Sequence, residues 1–103
     1  MDKIRNKNFQ DSIRLILSKA GMYGIYNIDD VKNLILGCRI FGNEDVINES
    51  LVFTEKFNLY VKSYFNSGEN FHWSRVIKFY SDSENSGLLL FIKLFNDFYE
   101  NKQ

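Results

Sequence analysis

Hydrophobic positions recur at helical spacing along nearly the whole chain, broken by short polar interruptions. From Asn8 to Ala20, Phe9, Ile13, Ile16 and Leu17 follow one another at spacings of four, three and one, a single stripe of an α-helix. Gly21 is the expected stop, since glycine is the usual residue just past a helix end. Asn27-Ile-Asp-Asp30 has the form of a capping box, and Val31, Leu34, Ile35 and Cys38 follow as i, i+3, i+4 and i+7. A second helix is therefore expected to about Phe41, ended by Gly42-Asn43.

The third segment is the longest. Val46, Phe53, Phe57, Tyr60, Val61 and Tyr64 keep helical phase from about Glu44 to Phe65, and Leu51, Leu59 and Phe65 widen the stripe. A wide stripe predicts a central helix with several neighbours. Asn66-Ser-Gly-Glu-Asn70 is a turn cluster. Trp73, Val76, Ile77 and Tyr80 then form a shorter amphipathic stretch, although residues 75–80 also read as a strand. Ser81-Asp-Ser-Glu84 has capping-box spacing, and Leu88, Phe91, Ile92, Phe95, Phe98 and Tyr99 share one face to the C-terminus. The pattern predicts an all-α bundle of about five helices in one domain, residues 1–103. The alternative it leaves open is an α+β fold with residues 75–80 as a strand.

Composition supports a folded chain. In 103 residues, 45% are hydrophobic and 17% aromatic, enough material for a core in a domain of this size. Thirteen basic side chains balance thirteen acidic ones, which removes the global positive field expected of a nucleic-acid binder. The balance is uneven, with residues 1–40 at +3 and residues 41–103 at −3. One cysteine excludes an internal disulfide framework. The opening Met-Asp-Lys-Ile-Arg lacks the apolar run of a signal peptide, and no stretch approaches the roughly 20 apolar residues of a membrane span. The expectation is a cytoplasmic protein that does not engage a membrane.

Catalytic chemistry is hard to assemble. His72 is the only histidine and Cys38 the only cysteine, 34 positions apart, so neither a metal site of set Cys/His spacing nor a Ser-His-Asp triad is evident. His72 reads as a polar residue at a helix start, and Cys38 as a small buried thiol on an apolar stripe. The carboxylate clusters Asp29-Asp30, Glu44-Asp45 and Asp82 with Glu84 all fall near predicted helix starts, where acids are favoured by the helix dipole. They remain available to a basic partner. Base stacking by Tyr23, Tyr26, Phe71, Trp73 and Tyr80 would need an accompanying lane of Lys/Arg, and the basic residues are scattered among acids.

Gly21-Met-Tyr-Gly24 is similar to a nucleotide-pocket segment of gyrase-B-type ATPases, but the metal-holding Asn and Glu, the Asp-x-Gly-x-Gly and the chain length of those enzymes are missing. A second resemblance spans most of the chain. Gly21-Met-Tyr23, a helix ending near Gly37, an aromatic helix from Phe53 to Phe65, Trp73-Ser-Arg-Val-Ile77 and the Phe-rich acidic Leu94-Phe-Asn-Asp-Phe98 together resemble small immunity proteins. Such proteins are encoded beside polymorphic bacterial toxins, including contact-dependent growth inhibition systems. The resemblance implies a non-enzymatic protein, without cofactor or metal, that binds a cognate toxin domain and occludes its active site or substrate groove. A monomer or weak dimer is expected. Because nuclease toxins present basic grooves, Glu44, Asp45, Glu49, Asp82 and Glu84 are the expected toxin contacts, with Tyr26 or Trp73 as the apolar anchor. In the opening loop, Met22, Tyr23 and Ile25 are expected to plug the gap between the first two helices. The competing reading is a small helical regulatory or adaptor protein, including a transcription regulator, for which Arg14 and Lys19 are thin support.

Overall fold

Each polar break predicted by the pattern ends one helix and starts another. The computed structural model describes residues 8–68 and 71–100. Five α-helices follow in order: α1 Phe9–Ser18, α2 Ile28–Phe41, α3 Glu44–Tyr64, α4 Trp73–Phe79 and α5 Glu84–Glu100. A 3₁₀ turn, Ala20–Tyr23, lies between α1 and α2. The described residues contain no strand, and residues 75–79 belong to α4, so the fold is all-α and the α+β alternative is excluded.

Asparagine begins three of these helices. Asn8, Asn27 and Asn43 each accept the backbone N–H three residues on, at 2.8, 2.9 and 2.9 Å, satisfying a donor that has no partner within the helix. The start of α5 departs from expectation. Ser83 and Ser86 cap it reciprocally: Ser83 Oγ accepts Ser86 N–H at 3.1 Å, and Ser86 Oγ accepts Ser83 N–H at 3.0 Å. Ser81 instead closes α4 by donating its hydroxyl to the Ile77 carbonyl at 2.6 Å. Gly21 is not the stop of α1 either. The helix ends at Ser18, and the chain reverses at Gly24, whose φ of 75° lies in the left-handed region that glycine enters without steric cost.

Phe53 and Phe57 form the centre of the core. Phe53 meets the rings of Phe9, Phe95 and Phe98 at 5.3, 5.6 and 5.6 Å, and Phe57 meets Trp73, Phe91 and Phe98 at 5.6, 5.5 and 5.4 Å. These tilted and edge-on pairs are the arrangements favoured by the ring quadrupole. Of the residues expected to widen the stripe on α3, Phe65 is half-buried against the core, but Leu51 and Leu59 are exposed, while Ser50 is fully buried. At about 100° per residue, Leu51 and Leu59 lie across the helix from Phe53, whereas Ser50 lies on its side. Burial of Ser50 is tolerated because its hydroxyl donates to the Ile47 carbonyl at 2.8 Å. One turn on, Thr54 Oγ1 donates to the Ser50 carbonyl and accepts Arg39 Nη2 at 3.0 Å, which fixes α2 against α3.

Two anchors hold the outer elements. Glu49 Oε1 accepts the Phe9 N–H at 3.0 Å, so a side chain of α3 completes the start of α1. Asn58 Oδ1 does the same for α4 by accepting the Trp73 N–H at 2.7 Å. No described helix is long and apolar enough to cross a membrane.

Candidate functional site

Two helix starts converge at one end of the bundle. Asn27, Ile28 and Asp29 from the beginning of α2, Lys78 and Ser81 from the end of α4, and residues 82–84 with Gly87 from the beginning of α5 line a cleft of about 210 Å³. Close approach of α2 and α5 depends on Gly87, where a Cβ would stand 3.2 Å from Ile28 Cγ1 and 3.3 Å from Ser81 Oγ. Lys78 Nζ pairs with Asp29 at 3.2 Å, both side chains 55% exposed, a pair whose contribution is at most about 1 kcal/mol. Asn27 Nδ2 donates to Glu84 Oε1 at 3.4 Å across the mouth. Asp82 is exposed, and its backbone N–H is held by Ser86 Oγ at 3.1 Å. Three carboxylates against the Lys78 ammonium leave the mouth net negative.

The expected contact residues divide into those brought together here and those placed elsewhere. Asp82 and Glu84 line the cleft. Tyr26 immediately precedes Asn27, is 64% exposed, and donates its hydroxyl to the Gly21 carbonyl at 3.3 Å while its backbone N–H donates to Asp30 at 2.8 Å. Glu44 and Asp45 are exposed in the first turn of α3. Gly42-Asn43 joins that turn to the far end of α2, a 14-residue helix roughly 21 Å long, so they stand well away from the cleft. Glu49 is half-buried and occupied at the start of α1.

Trp73 corrects the sequence expectation outright. It is 1% exposed and packs on Phe57 and Phe91, so it is a core residue and not a surface anchor. Its place beside an element end misled, because Asn58 draws that end inward. The opening loop is corrected in part: Ile25 is buried in the core, but Met22 and Tyr23 are 76% and 50% exposed.

Electrostatics elsewhere follow burial. The Cys38 thiol is pushed up by burial, which disfavours the reactive thiolate. His72 accepts the Ser74 N–H through Nδ1 at 3.2 Å as the cap of α4, and its pKa is lowered first by partial burial and then by Lys32 and Arg39. The Tyr99 phenol is pushed up, chiefly by burial and further by the Glu49 charge. Among the described residues, no three His, Cys, Asp or Glu side chains group to hold a metal ion. Asn27, Asp29 and Lys78 escaped the expected site because their roles depend on contacts 49 and 57 positions apart in the chain. No protein-family model, curated protein or solved structure matches this chain.

Proposed function

We propose that this protein is an immunity protein that binds a cognate toxin domain, a nuclease with a basic substrate groove, and blocks it in the cytoplasm of the producing cell. The observation that carries the reading is the acidic cleft, where Asp82 and Glu84 lie beside Asp29, with exposed Tyr26 one residue before Asn27 of its lining. Carboxylates at helix starts stay solvated until a partner arrives, so they meet Lys or Arg without first being buried unpaired. Like-signed charges around a cleft steer a basic surface into encounter and fix its orientation. Tyr26 adds the apolar contact that charge alone does not supply, a large amphipathic side chain of the kind that dominates interface energetics. The activity is binding and not catalysis.

The resemblance to immunity proteins supports the same partner class and adds a genetic expectation. A toxin-bearing reading frame stands immediately beside the gene. Co-expression with that toxin protects cells from growth arrest, and the two proteins copurify. If the neighbouring protein neither binds nor is neutralised, the immunity reading fails and a regulatory or adaptor role replaces it.

A further inference from the structure

Three nitrogen-bearing side chains gather where α2, α3 and the start of α4 meet. Lys32 and Arg39 are seven positions apart on α2, two full turns, so they lie on one side of that helix. Arg39 fixes which side it is, because its Nη2 donates to Thr54 Oγ1 of α3 at 3.0 Å. One turn beyond Thr54, Asn58 accepts the Trp73 N–H at 2.7 Å and so draws His72, the residue before it, to the same flank of α3. The Lys32 charge and then the Arg39 charge add to burial in lowering the His72 pKa, which places the ring within the field of both.

Like charge gathered in one place is unfavourable unless something offsets it. Neither Lys32 nor Arg39 forms an ion pair with a described residue. Asp29, one turn before Lys32, is taken by Lys78 at 3.2 Å. Arg39 is the sharper case. It is half-buried and carries five N–H donors, yet its acceptor among the described residues is the neutral Thr54 hydroxyl, and its Nε is buried with no hydrogen-bond partner. Partial burial of a charge costs free energy that pairing would offset.

His72 contributes a donor of its own. Its Nδ1 accepts the Ser74 N–H at 3.2 Å and lies 2.8 Å from Ser74 Oγ, so the neutral ring carries its hydrogen on Nε2. The three side chains therefore offer donors and no acceptor. We infer that the gap bounded by Lys32, Arg39 and His72 binds an oxyanion, carried on a carboxylate or on a phosphate-like group. The anion pairs with the free edge of the Arg39 guanidinium and with the Lys32 ammonium, and accepts from His72 Nε2. This site does not depend on the toxin reading, which uses carboxylates and not cations.

The test is an NMR titration of the full chain with sodium sulfate, which stays doubly charged across the pH range, with sodium acetate, and with sodium chloride at matched ionic strength. His72 is the only histidine, so its ring signals are unambiguous. Sulfate is expected to shift Lys32, Arg39 and His72 resonances saturably and to move the His72 titration midpoint upward, because a bound anion favours the imidazolium. Lys32→Gln and Arg39→Gln should each weaken binding about tenfold, the scale of one hydrogen bond to a charged group. Lys32 is exposed, so its replacement leaves the fold intact, and thermal midpoints verify this for both variants. Sulfate bound more tightly than acetate assigns a phosphate-like ligand, and equal binding assigns a carboxylate. Sulfate and acetate effects no larger than those of chloride, saturable shifts confined to other residues, or wild-type binding by both variants each overturns the proposal.

Discussion

The aromatic seam between α3 and α5 and the acidic mouth between α2 and α5 share one helix but are built on different principles. In the seam, Phe53, Phe57, Phe91, Phe95 and Phe98 are placed by burial, and their rings are each other's environment. At the mouth, Asp82 and Glu84 are placed by short-range capping of the α5 start and by the close approach at Gly87, and their charges remain in water. Stability therefore resides in the seam, and on the proposed function recognition resides at the mouth. Substitutions that separate the two test the difference.

The largest effect is expected in the seam. Phe95→Ala removes a 1%-exposed ring and should cost roughly 3–5 kcal/mol, whereas Glu84→Gln should change stability by about 0.5 kcal/mol or less. Denaturant unfolding of both variants checks this. A Phe95→Ala midpoint equal to wild type would remove the seam from the core.

Two glycines sharpen the comparison at a smaller scale. Gly37 and Gly87 both lie inside helices, where replacement by alanine ordinarily stabilises by about 0.5–1 kcal/mol. Around Gly37 a Cβ meets nothing within 4 Å, so Gly37→Ala should realise the gain. At Gly87 the same atom presses on Ile28 and Ser81, so Gly87→Ala should show no gain. Equal stabilisation in thermal melts would mean that the mouth is not set by a tight approach.

Much of this organisation was legible from spacing alone. Phe91, Phe95 and Phe98 recur with the helical period, so one stripe specifies the core face of α5 without knowledge of its neighbours. The same logic failed where a single tertiary contact decides. Trp73 looks exposed beside a turn until Asn58, fifteen residues earlier, accepts its N–H. Ser81 and Ser83 are equivalent in sequence, and only the Ile77 carbonyl and Ser86 distinguish their roles. At the mouth, Asp82 and Glu84 were recognisable as acids near a helix start. Their union with Asp29 and Lys78 depends on how α2 and α5 pack.

A pH effect is expected at the start of α4. His72 titrates below its usual 6.5 in the folded chain, so the unfolded chain binds the proton more readily. Stability is complete above pH 6.5 and falls as pH drops from there toward the lowered folded value. His72→Asn keeps a capping side chain without the titration and should flatten that slope. Urea midpoints across this range provide the check, and identical slopes would exclude His72 as the source. Asp82→Lys with Glu84→Lys should cost about 1 kcal/mol from the lost helix-dipole interaction, visible as a modest shift in thermal midpoint.

The most direct test of the proposed recognition at the mouth is the association rate with the toxin domain proposed as partner, measured by stopped flow at low and high salt. Wild type should associate quickly at low salt and slow steeply as salt rises, because screening acts on the steering charges. Asp82→Lys with Glu84→Lys should associate slowly with little salt dependence, and Glu44→Lys with Asp45→Lys, at the far end of α2, should fall between this variant and wild type. If the Asp82 and Glu84 reversal associates as fast as wild type at both salt concentrations, the acidic mouth is not where the toxin is recognised.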